Sequence, residues 1–202
     1  MQLFVDELIG AIMQIAIFTA IPFVVWLIAA RKKEKFFAHI GLKKPVVQEK
    51  GKVGIAIAVA VGVALLELTV LGYLTANGIK MANSDFAGMG IAALPAVLVY
   101  AFLRTALWEE IFFRGFLGGW LIKWRGFYVG NTIQAVIFGL VHGVSMFGIL
   151  GVWVPLAVIA MAGVLGFIMG YLREKSGGSI VPGILVHGLL NVMSSLVIML
   201  AF

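Results

Sequence analysis

The sequence lacks cysteine, which excludes a thiol nucleophile, a structural disulfide and a thiolate metal site. Charge is also scarce, since Asp, Glu, Lys and Arg make up 12% of the 202 residues, about half the share found in soluble domains. The only aspartates are Asp6 and Asp85, and both fall outside the apolar runs, which excludes a two-aspartate mechanism in the membrane. Hydrophobic residues make up 62% of the chain. This composition is typical of a polytopic membrane protein.

The apolar runs predict about six membrane segments, because a spanning helix needs roughly 20 mostly apolar residues. The segments run approximately Leu8 to Ala30, Val53 to Leu74, Ile91 to Leu121, Asn131 to Leu150, Val152 to Leu172 and Ile180 to Phe202. The third run is too long for a straight span, and Gly115, Gly118 and Gly119 predict a bend or break there. The first run should remain as a membrane anchor. No linker-like tract interrupts the chain, so we expect one all-α integral membrane domain over residues 1–202.

The basic residues are concentrated in one loop. Eight of the 15 Lys and Arg lie in residues 31–52, so the positive charge does not form a nucleic-acid-binding face. Lys and Arg also follow the third and fifth segments, whereas Lys80 is the only basic residue on the opposite side. Because basic short loops stay in the cytoplasm, we expect the 31–52 loop in the cytoplasm and both termini outside.

A short set of ionisable residues remains within the predicted spans. It comprises Glu67, Arg104, Glu109, Glu110, Arg114, His142 and His187, with Asn191 as an uncharged companion. Such residues face the protein interior or a cavity and by default mark function. At about 1.5 Å of rise per residue, Glu109, His142 and His187 come from three segments at a similar depth, so we expect them to converge. Glu67 and Arg104 have no motif around them; they could pair with each other, gate a cavity or snorkel.

Spacing assigns these residues to helix faces. Glu110 and Arg114 form an i, i+4 pair with the acid first, the favourable order for an ion pair on a helix. Glu109 is turned about 100° from Glu110 and remains available for chemistry. Two further i, i+4 pairs, Phe138 with His142 and His187 with Asn191, each place an imidazole beside a companion on one face.

This inventory suits hydrolysis. A carboxylate in a low-dielectric pocket is a better general base, so Glu109 could activate water with the help of His142. His187 and Asn191 could then stabilise the oxyanion. The alternative is a zinc site with Glu109, His142 and His187 as ligands and an open position for water. The chain has no H-E-x-x-H motif, and its serines are not in a G-x-S-G context.

The motifs resemble those of the CAAX protease and bacteriocin-processing family, which includes the type II CAAX prenyl endopeptidases and the bacterial Abi proteins. The motifs that carry the resemblance are E-E-x-x-x-R at Glu109, F-x-x-x-H at Phe138 and H-x-x-x-N at His187, in that order, together with "IGLKKP" and "GGSIVPGILVHGLLN". The resemblance covers about residues 90–202, the motif-bearing core, whereas the first two helices match only by hydropathy.

The resemblance implies an intramembrane endopeptidase whose site faces the cytoplasm. Glu109 and His142 would activate water, His187 and Asn191 would support the oxyanion, and Glu110, Arg114 and Phe138 would organise the site. A metal-free mechanism is favoured, because Asn191 is a better oxyanion donor than zinc ligand, and zinc remains the alternative. The compact chain favours a peptide, a leader or a membrane-protein segment over a prenylated CAAX substrate, and this substrate would enter from the membrane or the cytoplasm.

Two other functions use the same helices. A non-catalytic membrane scaffold or bacteriocin-immunity protein would share the fold, although such members tend to lose motif residues that this chain keeps. A small transporter could use the buried Glu and His residues to relay protons. The transporter hypothesis predicts that Glu67 and Arg104 matter as much as Glu109.

Overall fold

A computed structural model describes residues 1–201, and this part of the chain forms helices and no strands. Within it, six helices are long and apolar enough to cross a membrane, which confirms the predicted all-α, multi-pass architecture. The last residue of the predicted sixth segment, Phe202, lies outside the described residues. The helices are α1 (Gln2–Ala29), α2 (Lys50–Ala76), α3 (Gly90–Arg125), α4 (Phe127–Gly143), α5 (Trp153–Lys175) and α6 (Val181–Ala201).

The helices are apolar on their outer faces as well as inside. On α1, for example, Ile12 and Ile17 are about 60% exposed, which suits a surface covered by lipid. Helices satisfy their own backbone hydrogen bonds, as any segment in the hydrocarbon core must do. α1 packs against α3, where Phe18 stacks on Trp108 with their ring centroids 3.9 Å apart.

α3 stays helical through Gly115, Gly118 and Gly119, so the predicted break does not occur there, and the alternative of a bend stays a prediction. Two parts of α3, Val99–Leu107 and Glu110–Gly118, are π-helical. π-Helical turns are rare and are often found at functional sites. The first helical break comes at Gly126, whose φ of +79° separates α3 from α4. As a result, α4 begins at Phe127 rather than at the predicted Asn131.

α4 and α5 pack closely through small residues. A Cβ at Gly139 would overlap the carbonyl oxygen of Ile159, so the two backbones nearly touch there. Two buried amides hold the same pair together, since Gln134 donates to the Gly166 carbonyl at 2.9 Å and Asn131 donates to the Phe167 carbonyl at 3.0 Å. Small residues and interhelical hydrogen bonds are the usual means of helix association in membranes. This pairing fixes the end of α4 that carries His142.

The basic loop between α1 and α2 folds back onto the bundle. Ile40 is 1% exposed and packs with Ile111 of α3 and Ile180 at the start of α6. The loop backbone is also bonded there, since the Ile180 amide donates to the Gly41 carbonyl at 2.9 Å and Ser179 Oγ donates to the Lys43 carbonyl at 2.6 Å. Ile40 and Gly41 of the "IGLKKP" segment are therefore buried against the bundle, whereas Lys43 and Lys44 are exposed.

Candidate active site

A cavity of about 320 Å³ lies inside the bundle and is lined by side chains from every long helix except α1. Its polar lining includes Glu109 of α3, His142 of α4, and His187 and Asn191 of α6. Much of the remaining wall is apolar, with Leu71, Met161, Leu165, Met169 and Met193 among its residues. The structure thus brings the motif residues of three helices to one hollow.

Glu109 lies between the two imidazoles. Its Oε2 is 3.8 Å from His142 Nε2 and 3.7 Å from His187 Nε2. The same oxygen is buried and has no hydrogen-bond partner among residues 1–201. Buried acceptors are normally bonded, so an unsatisfied one at such a place calls for an explanation.

The Nδ1 atom of each imidazole has a hydrogen-bond partner, which fixes the tautomer of the neutral ring. His142 Nδ1 lies 2.8 Å from the Phe138 carbonyl oxygen and His187 Nδ1 lies 3.1 Å from Glu110 Oε1. Both partners are acceptors, so each Nδ1 must carry the proton and donate. In the neutral forms, both Nε2 atoms facing Glu109 are therefore free to accept a hydrogen bond.

Glu110 is fully buried and joins two of the predicted site residues. Its Oε1 lies 3.0 Å from Arg114 Nη1 and 3.1 Å from His187 Nδ1. The Arg114 pair follows the predicted i, i+4 spacing. The contact with His187 on α6 joins residues 77 positions apart, so helix spacing could not predict it. Glu110 therefore holds α3 and α6 in register as well as neutralising Arg114.

Arg114 is buried and packs against an aromatic ring. Its guanidinium carbon lies 4.0 Å from the Phe138 ring centroid, a cation–π contact. The Phe138 ring also contacts His142, with centroids 4.3 Å apart. Phe138 thus contacts both the buried Arg114 cation and the His142 imidazole. The contact with His142 is the one that the F-x-x-x-H spacing predicts.

Asn191 is held by a residue that sequence reasoning missed. Its Nδ2 donates to Thr105 Oγ1 at 2.7 Å, and Thr105 in turn donates to the Ala101 carbonyl at 2.8 Å. Both residues line the cavity. An amide nitrogen carries two hydrogens, so one N–H of Asn191 remains for a ligand. No motif around Thr105 marks it in the sequence.

Arg104 and Glu67 do not pair with each other, which is a correction to one of the alternatives above. Arg104 Nη1 lies 2.7 Å from Oε1 of Glu7, which is 97 residues away on α1. Glu7 is 3% exposed, so this ion pair ties the first helix to α3. Glu67 instead lines the cavity.

The three candidate zinc ligands are not arranged around a metal position. The engaged Nδ1 atoms of His142 and His187 resemble those that orient zinc-binding histidines. However, over the described range 1–201 no group of three His, Asp or Glu side chains is placed to hold a metal ion. The 3.7 and 3.8 Å separations also exceed the spacing of about 3.3 Å between ligands around a tetrahedral zinc ion. The choice between a metal-free site and a zinc site stays a prediction.

Comparison with known proteins gives one match. A family model described as "Type II CAAX prenyl endopeptidase Rce1-like" matches residues 91–193, about half of the chain. The matched region begins at the start of α3 and ends within α6, so it contains every residue of the cavity motifs. No curated protein and no solved structure matches the chain.

Proposed function

Because the chain belongs to the Rce1-like family of type II CAAX prenyl endopeptidases, we propose that it hydrolyses a peptide bond inside the membrane with Glu109 as the general base. The family match and the six apolar helices identify the chain as an integral membrane protein of an endopeptidase family. The residue roles that follow are those that the site geometry supports best.

The observation that carries the proposal is the environment of Glu109. Its buried Oε2 lacks a hydrogen bond within the described chain, and two imidazole Nε2 atoms lie just beyond direct bonding distance from it. Polar groups separated by more than about 3.5 Å can share a water, and we propose that one binds beside Glu109. A water bound there would donate one hydrogen to Glu109 and the other to His142 Nε2, with its lone pairs turned to the cavity.

Hydrolysis then follows in two steps. Glu109 takes a proton from the water, the new hydroxide attacks the substrate carbonyl carbon, and the C–O bond forms as the carbonyl becomes an oxyanion. When the C–N bond breaks, the proton on Glu109 passes to the leaving amine. Glu109 ends as a carboxylate again. A base positioned in this way contributes about 10²- to 10⁴-fold to a rate.

Asn191 and His187 are placed to stabilise the oxyanion. The free N–H of Asn191 can donate to it, and the bond to Thr105 keeps the amide in position. His187 can donate from Nε2 when both ring nitrogens are protonated, and Glu110 then pairs with the imidazolium at Nδ1. Donors of this kind are worth about 10²- to 10³-fold each in kcat.

The substrate that fits this cavity is a membrane-associated peptide. The apolar part of the wall suits an extended segment carrying apolar side chains or a lipid group, and Glu109, the two imidazoles and Asn191 offer polar groups to the peptide bond. We propose that the substrate is a leader peptide, a membrane-protein segment or a lipidated tail that enters from the bilayer or from one of its faces.

The test is cleavage in liposomes containing the purified full chain and a mixture of membrane-anchored peptides, among them a farnesylated CAAX peptide. Products are identified by mass spectrometry. Glu109→Gln and His142→Ala should each lower the rate by about 10²-fold or more. Glu174→Gln, which changes an exposed carboxylate of α5, should match the wild type.

Two results would overturn the proposal. Undiminished cleavage by Glu109→Gln would remove the proposed base, and no cleavage of any peptide by the wild type would favour the scaffold or immunity function. The proposed mechanism uses no metal ion, so a chelator should leave the rate unchanged. Inhibition by the chelator, reversed by added zinc, would replace the glutamate mechanism with a metal mechanism.

A further inference from the structure

Glu67 is the one charged residue of α2 beyond Lys52. It lies on the helix face that also carries Ala64, Leu71 and Leu74, which are all buried. This face lines the same cavity as Glu109. The Glu67 carboxylate is therefore directed to the cavity and away from lipid.

Within residues 1–201, Glu67 makes no hydrogen bond or ion pair with any protein group. The two arginines of the neighbouring α3 are already occupied, since Arg114 pairs with Glu110 and Arg104 pairs with Glu7. His187, one of the two histidines that line the cavity, is bonded to Glu110. Glu67 thus differs from Glu7 and Glu110, each of which has a cationic partner.

The surroundings of Glu67 make this lack of a partner costly. The cavity wall that carries Glu67 also includes Leu68 and Leu71 of its own helix and Leu165 of α5. Burying a carboxylate in apolar surroundings costs free energy unless a counter-charge is present. Glu67 and Glu109 are thus two carboxyl groups of the cavity lining that no Lys or Arg of the described chain pairs with, and a cationic side chain of a ligand would be complementary to them.

Glu67 and Glu109 lie at comparable positions along their helices, counted from the basic residues of each. Glu67 is 15 residues from Lys52 along α2, and Glu109 is 14 residues from Lys123 along α3. At the α-helical rise of 1.5 Å per residue the separation along α2 is about 22 Å, and the separation along α3 is shorter than about 21 Å because Glu110–Gly118 is π-helical. A peptide with its scissile carbonyl at Glu109 lies in the same cavity whose wall carries Glu67.

We propose that Glu67 is a specificity-determining residue that binds a Lys or Arg side chain of the substrate close to the scissile bond. The inference rests on the proposed function, because it assigns the substrate of the same site. It explains why a charged residue is kept on a face of α2 that is otherwise apolar.

The experiment compares two membrane-anchored peptides that differ only in Lys or Met next to the scissile bond. Wild type should cleave the Lys peptide with a kcat/KM about tenfold higher than the Met peptide, the effect of one added charge pair. Glu67→Gln should raise the KM for the Lys peptide by a similar factor, with kcat nearly unchanged and the Met peptide unaffected. Glu67→Arg should reverse the preference toward a Glu peptide.

Asp85→Asn, an exposed carboxylate outside the cavity lining, is the matched control and should keep the Lys preference. Equal kcat/KM for the two peptides in the wild type, or an equal loss on both in Glu67→Gln, would overturn the inference while leaving the endopeptidase function in place. Binding of the Lys and Met peptides to the Glu109→Gln protein gives a readout that does not need catalysis. Equal affinities there would overturn the inference even if no peptide were cleaved.

Discussion

At the scale of single residues, two adjacent carboxylates have opposite roles because they have different partners. Glu110 is fully buried and contacts both Arg114 and His187. Glu109 Oε2 has no hydrogen bond within the described chain and faces the cavity. The cost of burying Glu110 is offset by a cation and an imidazole, whereas Glu109 remains available to a ligand.

This difference predicts opposite effects of one substitution at neighbouring positions. Glu110→Gln leaves Arg114 as a buried charge without its counter-ion, which should lower the free energy of unfolding by about 3–5 kcal/mol. Glu109→Gln removes a carboxylate oxygen that has no donor, so stability should stay the same or rise while cleavage is lost. Thermal unfolding of the two variants in the same detergent checks the prediction. Equal loss of stability in both would contradict the division of roles.

The sequence predicts local pairs well and distant pairs poorly. The Glu110–Arg114 and Phe138–His142 contacts follow from i, i+4 spacing on a helix. The bond from Arg104 to Glu7 spans 97 positions and the bond from Asn191 to Thr105 spans 86. Helix spacing does not encode such contacts, because they depend on which helices become neighbours. For that reason Arg104 could be placed inside the membrane from sequence, but its partner could not.

At the scale of helices and loops, Gly115 allows the basic loop to dock on α3. A Cβ at this position would overlap the carbonyl oxygen of Ile40, the buried anchor of that loop. Gly115→Ala should therefore displace the loop and destabilise the protein by about 1–3 kcal/mol, as overpacking does. Gly62→Ala on α2 is the matched control, since a Cβ there would meet nothing within 4 Å.

The measurement for this pair is thermal unfolding together with protease access to the 31–52 loop. Gly62→Ala should be neutral or slightly stabilising, because Ala is the better helix former. Gly115→Ala should unfold at a lower temperature and expose the loop to cleavage. Equal behaviour of the two variants would show that the docking of Ile40 does not contribute to stability.

Hydropathy predicted the number of long helices, because each apolar run must form a helix to satisfy its backbone in lipid. It did not predict the π-helical turns of α3, since they leave the apolar pattern unchanged. Of the bend or break expected at the α3 glycines, the break does not occur, because these glycines serve close packing. Gly115 meets the basic loop, and a Cβ at Gly119 would lie 3.1 Å from an Arg173 side-chain nitrogen.

At the scale of the whole molecule, the cavity extends from the middle of the bundle toward one end. Its lining reaches Leu74 near the end of α2 and residues 81–83 of the segment that follows. This segment lies at the end opposite the docked basic loop, because α2 runs from one end to the other. The access of the cavity to the cytoplasm, implied by the family resemblance, stays a prediction.

The orientation of the chain in the membrane can be measured with single introduced cysteines, because the natural chain contains no cysteine that would also react. Lys44 and Ala82 are both exposed and lie at opposite ends of α2. The positive-inside rule places the basic loop in the cytoplasm, so a membrane-impermeant maleimide added to intact cells should label Ala82→Cys and not Lys44→Cys. Inverted vesicles should give the reverse. Labelling of Lys44→Cys in intact cells would contradict the orientation. If Ala82→Cys is labelled from outside and peptide substrates slow that labelling, the cavity admits them from the outer face.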